Sequence, residues 1–251
     1  MEVKKLTSGE LMDRIIQALD EKTPLSVISI GSTESYVMSQ YTVMSEKQFM
    51  QHKEAIVTNS GVMKRGFKFP NVKLRDEMVE ATKKADIIGY NISLLDIYAG
   101  KMVPKVFRTY DIQPQFIFES LVRRVIPFNQ KVKFKQMLRN RRTVLIGSNA
   151  PDVKQALERR WGKRFPFKIV ASIPMRSYDE MEEVKKSLDA IPFDLALISA
   201  GVNAVILAPY IAKHYGKVAF DLGQGMNSLI TKQVQQTGFV QKIGLQNLME
   251  M

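Results

Sequence analysis

The chain contains no cysteine. That excludes a disulfide framework, a thiolate metal centre and a cysteine nucleophile together, and it is compatible with a reducing compartment. Histidine is nearly as scarce: His52 and His214 are the two present. Both fall in stretches read as helical, so surface placement is expected and imidazole catalysis is disfavoured. A nucleophile-elbow turn for a Ser-His-Asp machine is missing. No run approaches the roughly 18 consecutive apolar residues that a membrane-spanning helix needs. The opening segment, Met1 to Asp20, interrupts its apolar positions with Lys4, Lys5, Glu10, Asp13 and Arg14, unlike a secretory leader. A cytoplasmic protein is expected, with peripheral association to a membrane left open. Internal repeats, low-complexity tracts and Gly/Ser-rich linkers are also missing, so one domain over 1–251 is expected, with 1–128 and 140–251 as alternative sub-lobes.

What is present suits a globular fold: 251 residues, 45% hydrophobic and 25% charged, enough for a sizeable core. The net charge of +12 is concentrated. Between Arg123 and Lys168 stand fourteen Lys or Arg against Asp152 and Glu158, so this window holds a surplus equal to that of the whole chain. Such a stretch draws in anions, whether nucleotide diphosphate, anionic membrane headgroups, a teichoic-type wall polymer or nucleic acid. It can equally be a solvated basic face. No RNA-binding aromatic signature or helix-turn-helix pattern accompanies it, so nucleic acid is the lesser option.

Periodicity supplies the architecture. Leu11, Ile15, Ile16 and Leu19 recur at helical spacing from Ser8 to Glu21, behind Ser8 as cap. Leu25 to Ile30 reads as a buried strand stopping at Gly31. A helix over Asn71 to Ala85, a strand over Asp86 to Tyr90 and a short strand over Phe116 to Phe118 follow, then a short helix over Lys131 to Asn140. From there strands (Thr143–Gly147, Lys168–Ile173, Phe193–Ser199, Lys217–Asp221) alternate with helices (Asp152–Trp161, Tyr178–Leu188, Val202–Tyr215). That rhythm predicts an α/β, Rossmann-like, mostly parallel sheet with helices on both faces and right-handed crossovers.

In such a sheet ligands dock beyond the carboxyl ends of the strands. Small residues mark those ends here: Gly31-Ser32-Thr33-Glu34, Gly147-Ser148-Asn149-Ala150, Ser199-Ala200-Gly201 and Asp221-Leu222-Gly223-Gln224-Gly225. Each lets backbone approach a phosphate or sugar, although glycine turns also simply hand strands over to helices. None is a GxGxxG or Walker loop, so a conventional nicotinamide or ATPase site is unsupported. Glu34 is either a ligand for a hard divalent cation or an N-terminal helix carboxylate. Asp221 is a metal ligand, a ribose-binding group or a helix cap. Arg65, Arg75, Arg108 and Arg123 are candidate phosphate forks. The aromatic-rich segment Tyr90 to Tyr110 reads as a lid over a base or sugar ring, or as core packing, the better expectation for Phe107 and Phe116. The scattered methionines read as core filling.

The order of these segments resembles the GT-D-type glycosyltransferases, Rossmann-like bacterial enzymes that transfer a hexose from a nucleotide sugar, typically with a divalent metal. Its carriers are Ile28-Ser29-Ile30-Gly31-Ser32-Thr33-Glu34, then Leu74-Arg75-Asp76 to Ala85-Asp86-Ile87-Ile88-Gly89, and Ser199-Ala200-Gly201 to Lys217-Val218-Ala219-Phe220-Asp221-Leu222-Gly223. The resemblance implies a nucleotide-sugar donor, UDP-sugar foremost, bound at Gly31, Ser32, Arg75, Gly147, Ser148, Ser199, Ala200, Gly201, Asp221 and Gly223. It implies manganese or magnesium at Glu34, with Glu34 organising metal and diphosphate and Arg123 or Arg75 neutralising the leaving group, and a glycan or protein as acceptor. The family's strand-turn carries an Asp-x-Glu pair; Ser32 stands where that Asp would be, and Glu34 matches the Glu. This departure keeps a rival reading alive: a non-catalytic module binding nucleotide sugar or anionic polymer through a degenerate metal motif.

Overall fold

The computed structural model describes residues 3–93, 98–162 and 164–251. Its first elements are β1 (Lys4–Leu6) and α1 (Ser8–Glu21), the latter burying Leu11, Met12, Ile15, Ile16 and Leu19 on one stripe. The cap of α1 is Thr7 rather than Ser8. Thr7 Oγ1 accepts the Glu10 N–H while the Glu10 carboxylate accepts the Thr7 N–H, a reciprocal box that satisfies two otherwise orphaned donors. Ser8 is the first helical residue, and its hydroxyl accepts from the side-chain amides of Asn129 and Gln130. Thr7→Ala is expected to lower stability by about 1 kcal/mol, read as a shift of the urea midpoint at constant slope; an unmoved midpoint would show the cap to be idle.

The chain continues through β2 (Leu25–Ile30), α2 (Ser32–Met38), α3 (Glu46–Gln51), α4 (Lys53–Asn59), α5 (Val72–Lys83), β3 (Ile87–Tyr90), α6 (Tyr98–Tyr110) and β4 (Phe116–Glu119). A 3-10 turn over Ser120–Arg124, α7 (Ile126–Asn129) and α8 (Lys131–Leu138) lead to β5 (Arg142–Gly147). Then come α9 (Ala150–Trp161), β6 (Lys168–Ile173), α10 (Met181–Asp189), β7 (Leu195–Ser199), α11 (Val202–Tyr215) and β8 (Val218–Asp221). The last helices are α12 (Gly225–Thr231), α13 (Gly238–Ile243) and α14 (Leu245–Glu250).

The strands form one eight-stranded sheet in the order β1-β4-β3-β2-β8-β7-β5-β6. Every adjacent pair is parallel. Strands β1–β4 make one half and β5–β8 the other, and the β2–β8 ladder joins them. Alternation along each strand divides the core: Ile28, Ile30, Ile88, Ile146 and Ile198 face one side, Val27, Ile87, Leu145 and Leu197 the other. Connections stepping toward β1 lay α5, α6, α10 and α11 on the first side. Those stepping toward β6 lay α1, α8 and α9 on the second. Right-handed crossover of a parallel connection dictates this split. Beyond β2 the chain enters α2 on the first side, whereas beyond β8 it enters α12 on the second. The crevice between β2 and β8 is therefore a topological switch point, where departing loops leave room for a ligand.

Several expected boundaries move for local reasons. Asn71 is a cap whose side chain accepts the Leu74 N–H, so α5 begins at Val72. Arg139 turns extended and ends α8 at Leu138. Tyr178–Glu180 is a 3-10 turn that precedes α10, and β7 starts at Leu195, two residues later than expected. His52 is not helical: it caps α4 in extended conformation, its Nδ1 accepting the Glu54 N–H. Of the segment read as a lid, residues 94–97 lie outside those described. Beyond them α6 packs Met102, Val103 and Val106 into the core with Phe107 against it, so this part is structural. Among the described residues no helix is long and apolar enough to cross a membrane.

Part of the basic stretch is answered by acids from elsewhere in the chain. Lys133 pairs with Asp13 at 2.7 Å, Arg141 with Asp20, and Arg142 with both oxygens of Asp194. Lys131, Arg139, Arg159, Arg164 and Lys168 are exposed, with the Arg139 guanidinium 5.2 Å from the centre of the Phe165 ring.

Candidate functional site

Because all eight strands run the same way, the small-residue turns gather at one edge. Gly31 follows β2, Gly147 closes β5, Ser199-Ala200-Gly201 follows β7, and Asp221 and Gly223 end β8. At the switch point this edge encloses a cavity of about 540 Å³. Its walls are Gly31, Ser32 and Glu34 from the β2 exit, Ser199 and Gly201 from β7, Asp221 and Gly223 from β8, and Arg123 with Arg124 from the 3-10 turn. A second chamber of about 410 Å³ shares Glu34, Arg65, Ser199 and Gly201 with it and adds Ser148 and Ala200. Ten of the twelve sequence-predicted site residues thus line two adjoining spaces.

The other two do not. Gly147 sits under the rim, where a Cβ would lie 2.3 Å from the Ser199 carbonyl oxygen; its role is to let β5 and β7 approach. Arg75, on the first turn of α5, gives its Nη1 to the Gln40 carbonyl and its Nε to Asp76, at 2.9 and 2.7 Å. The guanidinium is spent within the scaffold, away from both chambers. Of the other arginines proposed as phosphate forks, Arg65 lines both chambers, whereas Arg108 lies in the last turn of α6.

At the centre Arg123 donates Nε to the Ser120 carbonyl and Nη1 to both the carbonyl and the carboxylate of Asp221. Gly223 makes room for it: φ is +51° and a Cβ would stand 2.8 Å from Arg123 Nη1. Asp221 is 4% exposed. Burial lifts its carboxyl from 3.8 to about 6; the adjacent Arg123 charge opposes this, and the negative charge of Glu34 adds to it. The folded protein thus keeps this proton to about pH 6 and the unfolded chain releases it near 3.8, so acidification through that window stabilises the fold. Relative to Asp221→Asn, the wild type is expected to gain stability between pH 7 and pH 4.5, on the order of 2 kcal/mol, measured by urea denaturation at both. A pH-independent difference would show that burial does not govern the group.

Glu34 occupies the third position of α2, where one carboxylate oxygen accepts the Gly31 N–H at 3.0 Å. Glu54 pairs with Arg65 at 3.2 Å and Asp221 with Arg123. Among the described residues, Glu34 is therefore the carboxylate of the first chamber without a cationic partner. Arg124 donates to Thr237 Oγ1 at 3.1 Å. Desolvation and the neighbouring Arg123 charge lower its pKa to about 10, leaving it a cation at neutral pH. Sequence reasoning missed Arg124, although its position beside Arg123 just past a strand was a usable signal. It also missed Glu119, buried at the end of β4, whose carboxylate accepts the N–H groups of Ile92, Ser93 and Leu121 and so ties the loop after β3 to the rim.

The resemblance implies a divalent cation at Glu34, and this donor set does not suit one. Ser32 offers a neutral hydroxyl, one oxygen of Glu34 is committed to Gly31, and Asp221 and Glu54 are each held by a guanidinium. Among the described residues no three His, Asp or Glu side chains converge as ligands. Hard cations favour several unencumbered oxygens, and here one would have to displace Arg123 from Asp221.

The all-parallel sheet with its switch-point cavity defines an α/β protein of Rossmann-like class. The chain belongs to the GT-D-like family: residues 6–229 match the GT-D fold-like domain. The solved structure of the highly conserved domain of unknown function 1792, which has a distinct glycosyltransferase fold, superposes with a TM-score of 0.60 at 12% identity, covering 94% of this chain and 84% of that one. A new glycosyltransferase with the same domain, from Streptococcus sanguinis, superposes with a TM-score of 0.56 at 13% identity, over 94% and 88% of the two chains. At these identities the likeness establishes the fold. No curated protein matches the sequence.

Proposed function

We propose that the chain transfers a hexose from a nucleotide-sugar donor, a UDP-sugar foremost, to a hydroxyl of a glycan or protein acceptor. The observation that carries this reading is the gathering of Gly31, Ser199, Gly201 and Gly223 with Glu34 and Arg123 around one cavity at the β2–β8 switch point, where open α/β sheets hold nucleotides. Family membership supports it. In the reaction the acceptor oxygen bonds to the anomeric carbon, the bond from that carbon to the diphosphate breaks, and the nucleoside diphosphate departs. Glu34, lacking a cationic partner, takes the acceptor hydroxyl's proton. Catalysis is otherwise positioning and electrostatic stabilisation of the leaving group.

Glu34→Gln keeps the bond to the Gly31 N–H through its carbonyl oxygen and removes the base. Donor turnover is expected to fall by roughly 100-fold or more while affinity for the nucleotide persists, measured by product release and by calorimetry. Turnover equal to wild type would remove Glu34 from the chemistry. The neutral Ser32 favours a second reading, a module that binds nucleotide sugar without transfer; binding without turnover across a panel of acceptors would select it.

A further inference from the structure

We propose that the diphosphate of the donor is gripped by the guanidinium groups of Arg65, Arg123 and Arg124, in place of a divalent cation. The inference rests on the donor reading above and departs from the metal that the family resemblance implies. All three arginines line the switch-point cavity. Each is fixed at one end and open at the other. Arg123 is anchored through Nε and Nη1, and its Nη2 makes no hydrogen bond among the described residues. Arg124 is anchored through Nη1 to Thr237, with its other nitrogens unassigned. Arg65 is held through Nη2 by Glu54, and its Nε is buried with no partner.

Arg65 Nη1 and Arg123 Nη2 donate to nothing among the described residues, and an oxygen-rich ligand in the cavity would supply their acceptors. Guanidinium suits phosphate because its fork pairs two oxygens at once, and it stays charged when partly desolvated. Gly223 belongs to the same device: any side chain there would drive into Arg123. The carboxylates that could have held a metal instead hold two of these arginines in place.

The test is calorimetric titration of the full chain with UDP, and with GDP and ADP in parallel, once in excess EDTA and once in manganese. The expected result is binding in EDTA, with manganese changing Kd by less than about threefold. Arg124→Gln and Arg65→Gln should each weaken binding roughly tenfold in both buffers, with melting curves confirming that each variant folds. Arg65, its side chain 26% exposed, keeps the test usable should the Arg124 variant not fold. Binding that appears only with manganese, or tightens tenfold in it, overturns the inference and leaves the donor reading standing. Loss of binding to all three nucleotides in both buffers overturns both together.

Discussion

Arg123→Ala is expected to destabilise the protein by about 3–5 kcal/mol, the usual consequence of stripping a buried carboxylate of its counter-charge. Asp221 is 4% exposed, and Arg123 supplies both a formal charge and hydrogen bonds to it. The same substitution frees the Ser120 carbonyl and leaves a void against Gly223. A double substitution separates the contributions: Arg123→Met with Asp221→Leu should recover much of the loss, because buried pairs replaced jointly by apolar groups are often neutral. Both are read by urea denaturation. Should the single variant lose under 1 kcal/mol well above pH 6, the stranded Asp221 carboxyl would have to be hydrated or to have taken up a proton. Recovery of stability in the double variant without recovery of nucleotide binding would show that the pair serves the site more than the fold.

Gly147→Ala is expected to be comparably severe, about 3 kcal/mol or more, for a different reason. With φ of +144° and a Cβ position 2.3 Å from the Ser199 carbonyl oxygen, the alanine meets rigid backbone at the last pair of the β5–β7 ladder. Gly201→Ala is the natural control. Nothing lies within 4 Å of its Cβ position, so only its backbone conformation, φ +55° and ψ −133°, counts against it, about 1–3 kcal/mol. The difference between the two in denaturant midpoint isolates the steric part. Equal losses would mean that β5 and β7 separate easily at the rim.

The parallel strands and their helices were legible because burial writes them plainly: Leu25–Ile30, Lys168–Ile173 and Val202–Tyr215 begin and end where apolar periodicity begins and ends. So was the rim, because parallel strands followed by Gly or Ser must deliver those residues to one edge. Elements that owe their form to capping or to contact with distant residues were not. The short β1 is made by pairing with β4, and α2 starts at a glycine with only a glutamate folded back onto it. The basic stretch is less uniform in space than along the chain. Counted along the chain it holds the whole surplus of charge, yet Asp13, Asp20, Asp194 and Asp221 reach it from other elements. Linear charge density says little once a sheet brings residues about a hundred positions apart into contact. Arg75 failed likewise, since nothing local announced that Gln40 and Asp76 would occupy it.

The β2–β8 seam has a consequence for how the protein is made. Its walls come from residues as early as Gly31 and as late as Phe239, so no early fragment contains a finished pocket. As the polypeptide leaves the ribosome, strands β1 to β4 can collapse with their helices, but recognition of any small molecule must wait until the final strand slots in beside β2. Binding is therefore a report on completed assembly, and truncations ending before β8 will be blind to ligand however well they retain helical structure.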